Sequence, residues 1–424
     1  MATFREPGAS LPRRVLVLSN GVAEDMVGAA LAQAWQQRCP SLVIAAAPLL
    51  GSGHAYEKAG IPVLAPGIQL PSGGFTRLGV RAFLADWQAG WGQATREYIR
   101  RLRQERVNRM PPGVVPPLAG WLCVGDVYLL AVGWWALRMP AWFVPTAKSE
   151  FIHGHSRAEI AWMRRRVRAV YARDVPTATA LARAGLPARF LGNPLLDVGG
   201  AAQAATQRAE GRGRPPSDGW TVGLLPGTRQ DWPENLQKLT QVAVACRQQM
   251  EQWKTLAVPP LTPPPPQLRF LVAAPGLTPG SAGDLAARAA IRCVPFSTLL
   301  ARADVVVGLA GTAHEQAAGL GIPVVAFPAG RLQYTLRFAR AQQRLLGLAL
   351  LLCPWKPATV ARAVCALLQD PVRRSWMAAV GRERMGSAGA VEQIAQALAD
   401  ELTGVTTVHP ETTGGGMPPM PPDS

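Results

Sequence analysis

The chain has 424 residues, 48% of them hydrophobic, and a formal net charge of +17. That length accommodates two ordinary domains with substantial cores, and the composition suits a globular protein. Met1 to Arg14 lacks the apolar core of a signal peptide, and no uncharged apolar run reaches membrane-spanning length, so a cytoplasmic, at most peripheral, protein is expected. The six cysteines form no C-x-x-C pair, which reads as buried thiols in a reducing compartment rather than disulfides or zinc. The charge concentrates anions, either a phosphorylated substrate or anionic lipid; without a helix-turn-helix, zinc-finger or RNP signature, nucleic acid is not an expected partner.

Taken in order, Arg14 to Ser19 is an opening strand, broken by Asn20-Gly21 before a helix over Ala23 to Gln37. The first turn of the fold therefore carries Asn20, Gly21, Glu24 and Asp25. Gln69 to Arg77 reads as a loop near the strands' carboxyl ends. Phe83, Trp87, Trp91, Tyr98 and Leu102 recur at helical spacing over about 78–108, with Arg96, Arg100 and Arg103 opposite. A core-facing aromatic stripe with a basic back is the plainer reading, and docking on anionic lipid the alternative. Gly120 to Gly125 is a strand ending in Asp126, a catalytic base or the N-cap of a helix over Val127 to Leu137, roles that do not exclude each other. After the strand Ala141 to Pro145, the polar turn holding Lys148 and Ser149 can receive an anionic acceptor. His153 and His155 lack a third ligand, so no metal is expected.

Residues 1–198 thus form one α/β domain, and 199–219, rich in Gly, Ala, Gln and Arg, has linker composition. A second domain over 220–402 restarts with the strand Thr221 to Leu225 and the turn Pro226-Gly227-Thr228-Arg229. Arg229 suits bidentate contact with a diphosphate, and Gln333 opens a later helix near the same cleft. Its last helices can cross back to the first domain, and 403–424 reads as a disordered tail. The pivotal stretch is Ala303 to Pro328, ordered strand, glycine turn, helix, strand. Gly308 and Gly311 permit a sharp turn and close approach of a ligand, Thr312 is placed to cap the helix, and the first N–H groups, with Ala313, face outward from the strand end. Glu315 and Gln316 follow one turn in, within reach of a ribose. The stretch reads as half of a nucleotide-sugar site or as a plain structural turn; G-x-x-G is not the dinucleotide fingerprint.

Four segments in order, Asp25-Met26-Val27-Gly28-Ala29, Gly192-Asn193-Pro194-Leu195, Leu224 to Arg229, and Gly311-Thr312-Ala313 through Gly321-Ile322-Pro323, resemble the lipid-A-disaccharide synthase family of GT-B glycosyltransferases, most nearly its cyanobacterial branch. The resemblance implies two Rossmann-like domains with parallel sheets and an interdomain cleft. It also implies a lipid or phosphorylated glycan acceptor in the first domain near Asn20, Gly21 and Asp25, a UDP-sugar mainly in the second, and chemistry without metal or other cofactor. Asp126 matches the family's catalytic aspartate, Thr228 and Arg229 its Ser-Arg pair near the diphosphate, and Gly311 and Thr312 its donor loop. Gln316 stands where the family has a glutamate, and the family's Gly-Glu-Ala-Ser-Gly is absent around Asn20 to Glu24. A transferase acting at the cytoplasmic face of a membrane is the leading expectation. The alternatives are a non-hydrolysing UDP-sugar 2-epimerase and a non-catalytic nucleotide-sugar or lipid-binding protein.

Overall fold

The structure is a computed structural model that describes residues 13–64, 67, 91–107, 116–210, 219–228, 231–256, 267–274, 290–328 and 334–404. The expected loop at 69–77, Phe83, Trp87, the Pro-rich run 258–266 and the tail from 405 lie outside the described residues.

The first domain alternates strands β1 (Arg13–Asn20), β2 (Leu42–Leu50), β3 (Leu118–Gly125), β4 (Ala141–Pro145), β5 (Val167–Tyr171) and β6 (Ala188–Arg189) with helices. These helices are α1 (Val22–Arg38), α2 (His54–Lys58), α3 (Trp91–Val107), α4 (Val127–Leu137), α5 (Arg157–Met163) and α6 (Val175–Arg183). The strands pair in parallel in the order β2-β1-β3-β4-β5-β6. β1 is buried on both faces, as a central parallel strand must be. Val15 and Val17 point into a core shared with α1, and Leu16 and Leu18 into one shared with α4, following the two-residue period of a strand.

The second domain contains α7 (Gly200–Ala209), β7 (Gly219–Leu225), α8 (Trp232–Leu256), β8 (Gln267–Val272), β9 (Ile291–Cys293), α9 (Phe296–Arg302), β10 (Val305–Gly308), α10 (Thr312–Gly319), β11 (Val324–Ala326), α11 (Leu336–Leu346), β12 (Leu350–Leu352), α12 (Pro357–Gln369) and α13 (Pro371–Met385). Its sheet is also parallel, in the order β12-β11-β10-β7-β8-β9. Both sheets are therefore doubly wound.

The segment expected to be a linker is half helix. Residues 200–209 form α7, and Ala201 and Ala204 are fully buried in the second domain's core against α9. Alanine-rich composition suits a linker and a helix alike, and small side chains allow the close packing seen here. Residues 211–218 lie outside the described residues.

The last helix, α14 (Ala390–Thr403), returns to the first domain and packs on α1. Val391, Ile394 and Leu398 join that core, each such side chain contributing about 1.5–3 kcal/mol. Glu401 accepts from Trp142 Nε1 (2.7 Å) and Tyr171 OH (3.0 Å) and pairs with Arg189, which fixes the helix under the first sheet. Asp197, in the outbound crossing, accepts from Gly389 N–H (2.6 Å) and Val391 N–H (2.8 Å) at the start of α14. The two crossings between domains are thereby tied together. The six cysteines are all free thiols. Among the described residues no helix is long and apolar enough to cross a membrane.

Candidate active site

In an open parallel sheet a ligand crevice forms beyond the carboxyl ends of two neighbouring strands whose connections leave in opposite directions. The first sheet has this arrangement between β1 and β3, the second between β7 and β10. Asn20 and Gly21 end β1, and Gly125 and Asp126 end β3. They are neighbours: a Cβ on Gly125 would collide with the Asn20 side-chain oxygen. Gly125 also has φ +155°, so this close crossing requires glycine.

Asp126 is the N-cap of α4, accepting from Leu129 N–H at 2.9 Å. The cap fixes the carboxylate's orientation at the strand end. Beside it, Glu24 in the first turn of α1 accepts from Thr146 Oγ1 at 2.9 Å. Burial raises the Glu24 carboxyl above its ordinary value, and the nearby charges of Asp126 and Glu315 raise it further, while hydrogen bonds including that from Thr146 oppose the shift. Glu24 was legible only as a polar residue in the first turn, because its environment comes from a turn 122 positions away.

Arg173 completes this wall. Its guanidinium donates to Thr146 O and, at 2.8 Å, to the Glu315 carboxylate of the second domain. Sequence reasoning passed over it, although its position just beyond the carboxyl end of β5 was a usable signal.

In the second sheet Leu309 N–H donates to Leu225 O at 2.9 Å, which places the Gly227-Thr228 turn beside the Gly308 to Gly311 turn. Gly227 has φ +87°, and Thr228 is exposed. Arg229 and Gln333 lie outside the described residues. Thr312 does not cap α10. Gly311 occupies the N-cap position and no side chain caps the helix, so the first-turn amides at Thr312 and Ala313 keep the anion-binding character of a helix start. The turn is held from below by residues that the sequence did not single out. Gln342 Nε2 donates to Gly311 O (2.8 Å), Tyr334 OH to Gln342 Oε1 (2.6 Å), and His314 Nδ1 lies 2.9 Å from the same oxygen. Burial pushes His314 down to about 4, so its ring is neutral at pH 7.

Several expected contacts are committed elsewhere. Gln316 is buried and donates to Leu195 O (2.8 Å) and Val198 O (3.2 Å), so its amide ties the crossing to α10. Lys148 is neutralised by both oxygens of Glu159 at 2.8 and 2.6 Å, and Ser149 is fully buried, accepting from Phe151 N–H. Asp25 is buried beneath the first crevice, accepting from Ser19 Oγ (2.6 Å) and Gly53 N–H (3.2 Å). Burial raises it to about 6. These residues are occupied by contacts within the fold, whereas Asn20, Gly21, Glu24, Asp126, Thr146, Arg173 and Glu315 gather at the crevice.

No protein-family model matches the chain, and no curated protein matches it in sequence. Solved structures do. UDP-GlcNAc 2-epimerase from Neisseria meningitidis, solved bound to UDP-GlcNAc, superposes with a TM-score of 0.55 at 12% identity, over 91% of this chain and 99% of that one. A putative UDP-N-acetylglucosamine 2-epimerase from Listeria monocytogenes gives 0.54 at 13%, over 93% and 98%. MurG from Acinetobacter baumannii gives 0.52 at 13%, over 92% and 100%. The fold is of GT-B type. At such identities the likeness concerns architecture alone, two Rossmann-like domains facing one another across a cleft, and the chemistry has to be argued from this chain's own side chains.

Proposed function

We propose that the protein is an inverting glycosyltransferase that moves a sugar from a UDP-sugar to a hydroxyl of a lipid or phosphorylated glycan. The observation carrying this reading is the pairing of a carboxylate-rich crevice, Glu24 with Asp126, with a glycine-lined helix start of opposite polarity in the facing domain. In the reaction the acceptor hydroxyl loses its proton to Asp126, its oxygen bonds to the anomeric carbon, and the bond from that carbon to the diphosphate breaks with inversion. UDP leaves with the electron pair, its charge met by the amides at Thr312 and Ala313, by the Gly227-Thr228 turn and by Arg229. Glu24, desolvated and raised, stands beside Asp126 as a second proton-accepting group. Glu315 takes the ribose position that Gln316 leaves, once released from Arg173.

Epimerisation of the donor is the second reading, supported by the convergence of carboxylates from both domains, Glu24 and Asp126 with Glu315. Incubation with UDP-N-acetylglucosamine alone separates the two, because an epimerase inverts a sugar carbon without an acceptor. Product formed only when a lipid or glycan acceptor is added supports transfer. Tight UDP-sugar binding without either reaction, over a broad acceptor panel, would leave a binding protein on the same fold.

A further inference from the structure

Among the described α-helices α4 alone carries no charged residue, a composition expected of a helix enclosed on every side. One stripe nonetheless faces outward: Tyr128 is 39% and Trp135 53% exposed, with Arg138 exposed at the end. There the stripe meets a cluster of cations and indoles. The Arg138 guanidinium lies 4.9 and 4.8 Å from the Trp134 and Trp135 rings, and that of Arg166 lies 4.4 and 4.7 Å from Trp134 and Trp162. Arg164 and Arg165 are exposed beside them and, with Trp134 and Arg166, line an open cavity of about 470 Å³. No acidic residue occurs from Val127 to Ala147 or from Ile160 to Arg173. Arg164 Nε donates to Ala184 O (2.9 Å) and Arg166 Nη1 to Trp162 O (2.7 Å), which leaves the exposed guanidinium ends of Arg164 and Arg165 for contact with phosphate.

We infer that this cluster, with the outer stripe of α4, docks the protein on the headgroups of an anionic bilayer. An uncharged stripe bearing tyrosine and tryptophan suits the boundary between headgroup and acyl chain, and arginines without acidic neighbours suit the phosphates above it. Bases of a single nucleic-acid strand could also stack on Trp135, an occupant that RNA binding without vesicle binding would reveal. The stripe also leads to the candidate site: α4 starts at Asp126, so the cluster lies about 16 Å from it along the helix axis. The basic back of α3 is a weaker candidate. Tyr98 and Leu102 are buried, Trp91 packs on Tyr128, and Glu97 neutralises Arg100 and Arg101 at 2.6 and 3.0 Å. That face offers cations without an exposed aromatic.

The inference rests on the transferase reading only for the expectation of a lipid acceptor, and its test uses no sugar donor. The full chain is floated with vesicles of phosphatidylcholine alone and of phosphatidylcholine with phosphatidylglycerol, and UDP binding is measured separately as a check on folding. The wild type is expected to float with the anionic vesicles only, and to be released by high salt. Arg138→Gln/Arg164→Gln/Arg165→Gln should weaken partitioning roughly a hundredfold for three surface cations. The milder Arg164→Gln/Arg165→Gln, confined to exposed side chains, should weaken it roughly tenfold or more. Trp135→Ser should lower it by a smaller factor, and Arg96→Gln/Arg100→Gln/Arg103→Gln should change it less than either arginine set of the cluster. The proposal is overturned if the wild type does not float, if the α3 variant loses binding while the cluster variants keep it, or if the cluster binds an RNA oligonucleotide and no vesicle.

Discussion

At the crevice between β1 and β3 the chain places Glu24 and Asp126 over buried Asp25, while at the one between β7 and β10 it places glycine turns and the uncapped start of α10. The backbone is of one kind in both, a parallel sheet with helix starts aimed into the gap, and each helix start favours negative charge. In the first crevice that preference is met internally, by Asp126 capping α4 and by the acidic first turn of α1. In the second it is left for a ligand. Two crevices of the same architecture thus divide the work, one presenting proton acceptors and the other a place for an anion, which an incoming diphosphate can occupy without opposing a carboxylate.

The largest expected effect follows from removing the acidity of the first crevice. Asparagine is itself a good N-cap, so Asp126→Asn should leave stability within a few tenths of a kcal/mol while lowering turnover about 10²- to 10⁴-fold. UDP binding, which belongs to the other crevice, should stay within about twofold on the same argument. Loss of UDP binding together with turnover would show that the division of labour is false and Asp126 structural. Glu24→Gln sharpens the point through the pH profile. The Glu24 carboxyl is raised by burial and by the charge of Asp126, so the acid limb of kcat/KM should contain two protonations, and the substitution should simplify it to one; an unchanged limb would place Glu24 outside the reaction.

What the sequence made legible divides along a physical line. The strand periods, the carboxyl-end position of Asp126 and the glycine turns are local, carried by the order of residue types alone. The partners that give them chemistry are not local. Thr146 hydrogen-bonds Glu24 from beyond the carboxyl end of β4, 122 positions along the chain, Arg173 reaches Glu315 across 142 positions, and Gln316 is consumed by carbonyls 121 and 118 positions away. Lys148 looked available for an anion because Glu159 lies on a helix that spacing alone does not fold back onto it. The alanines of α7 illustrate the same limit, since composition does not say whether a partner surface exists.

The next effect is on stability against pH, where the two regions should pull in opposite directions. Asp25 is raised from 3.8 to about 6, so its contribution is complete below the unfolded value and is lost as pH rises through about 6. His314 is lowered from 6.5 to about 4, so its contribution is present above 6.5 and is lost as pH falls through about 4. Each shift corresponds to roughly 3 kcal/mol. Between those limits the two slopes largely cancel in the wild type. Urea denaturation should show Asp25→Asn losing stability toward pH 4 and His314→Gln gaining it, each relative to the wild-type curve. Parallel curves for all three proteins would mean that neither group is buried as described.

Gly308 should matter somewhat less and only for the second crevice. A Cβ there would sit 2.5 Å from Leu225 O and 2.7 Å from His314 Nε2, and neither can retreat, one being backbone and the other part of a buried network. Gly308→Ala is expected to destabilise by about 1–3 kcal/mol and to weaken UDP binding. Calorimetry with UDP and thermal unfolding check the two parts, and an unchanged UDP affinity in a folded variant would remove the turn from the donor site.

The smallest expected effect tests whether the two crevices are joined at all in the resting molecule. Arg173 belongs to the first domain and Glu315 to the second, with side chains 10% and 15% exposed, so their 2.8 Å pair is only partly screened by solvent. It stands among Glu24, Asp126 and Glu315 as the counter-charge that lets three carboxylates approach one another. Arg173→Gln should cost only about 1–2 kcal/mol in stability, since the glutamine amide can still donate to one of the two partners, Thr146 O or Glu315. Its clearer mark should be on the donor. If Glu315 serves the ribose, the arginine competes with the nucleotide for that carboxylate, and its removal should tighten UDP binding severalfold while leaving Glu315→Gln weakened. A looser grip on UDP in Arg173→Gln would mean the opposite, that the arginine itself contacts the nucleotide and the carboxylates of the first crevice share in holding the donor.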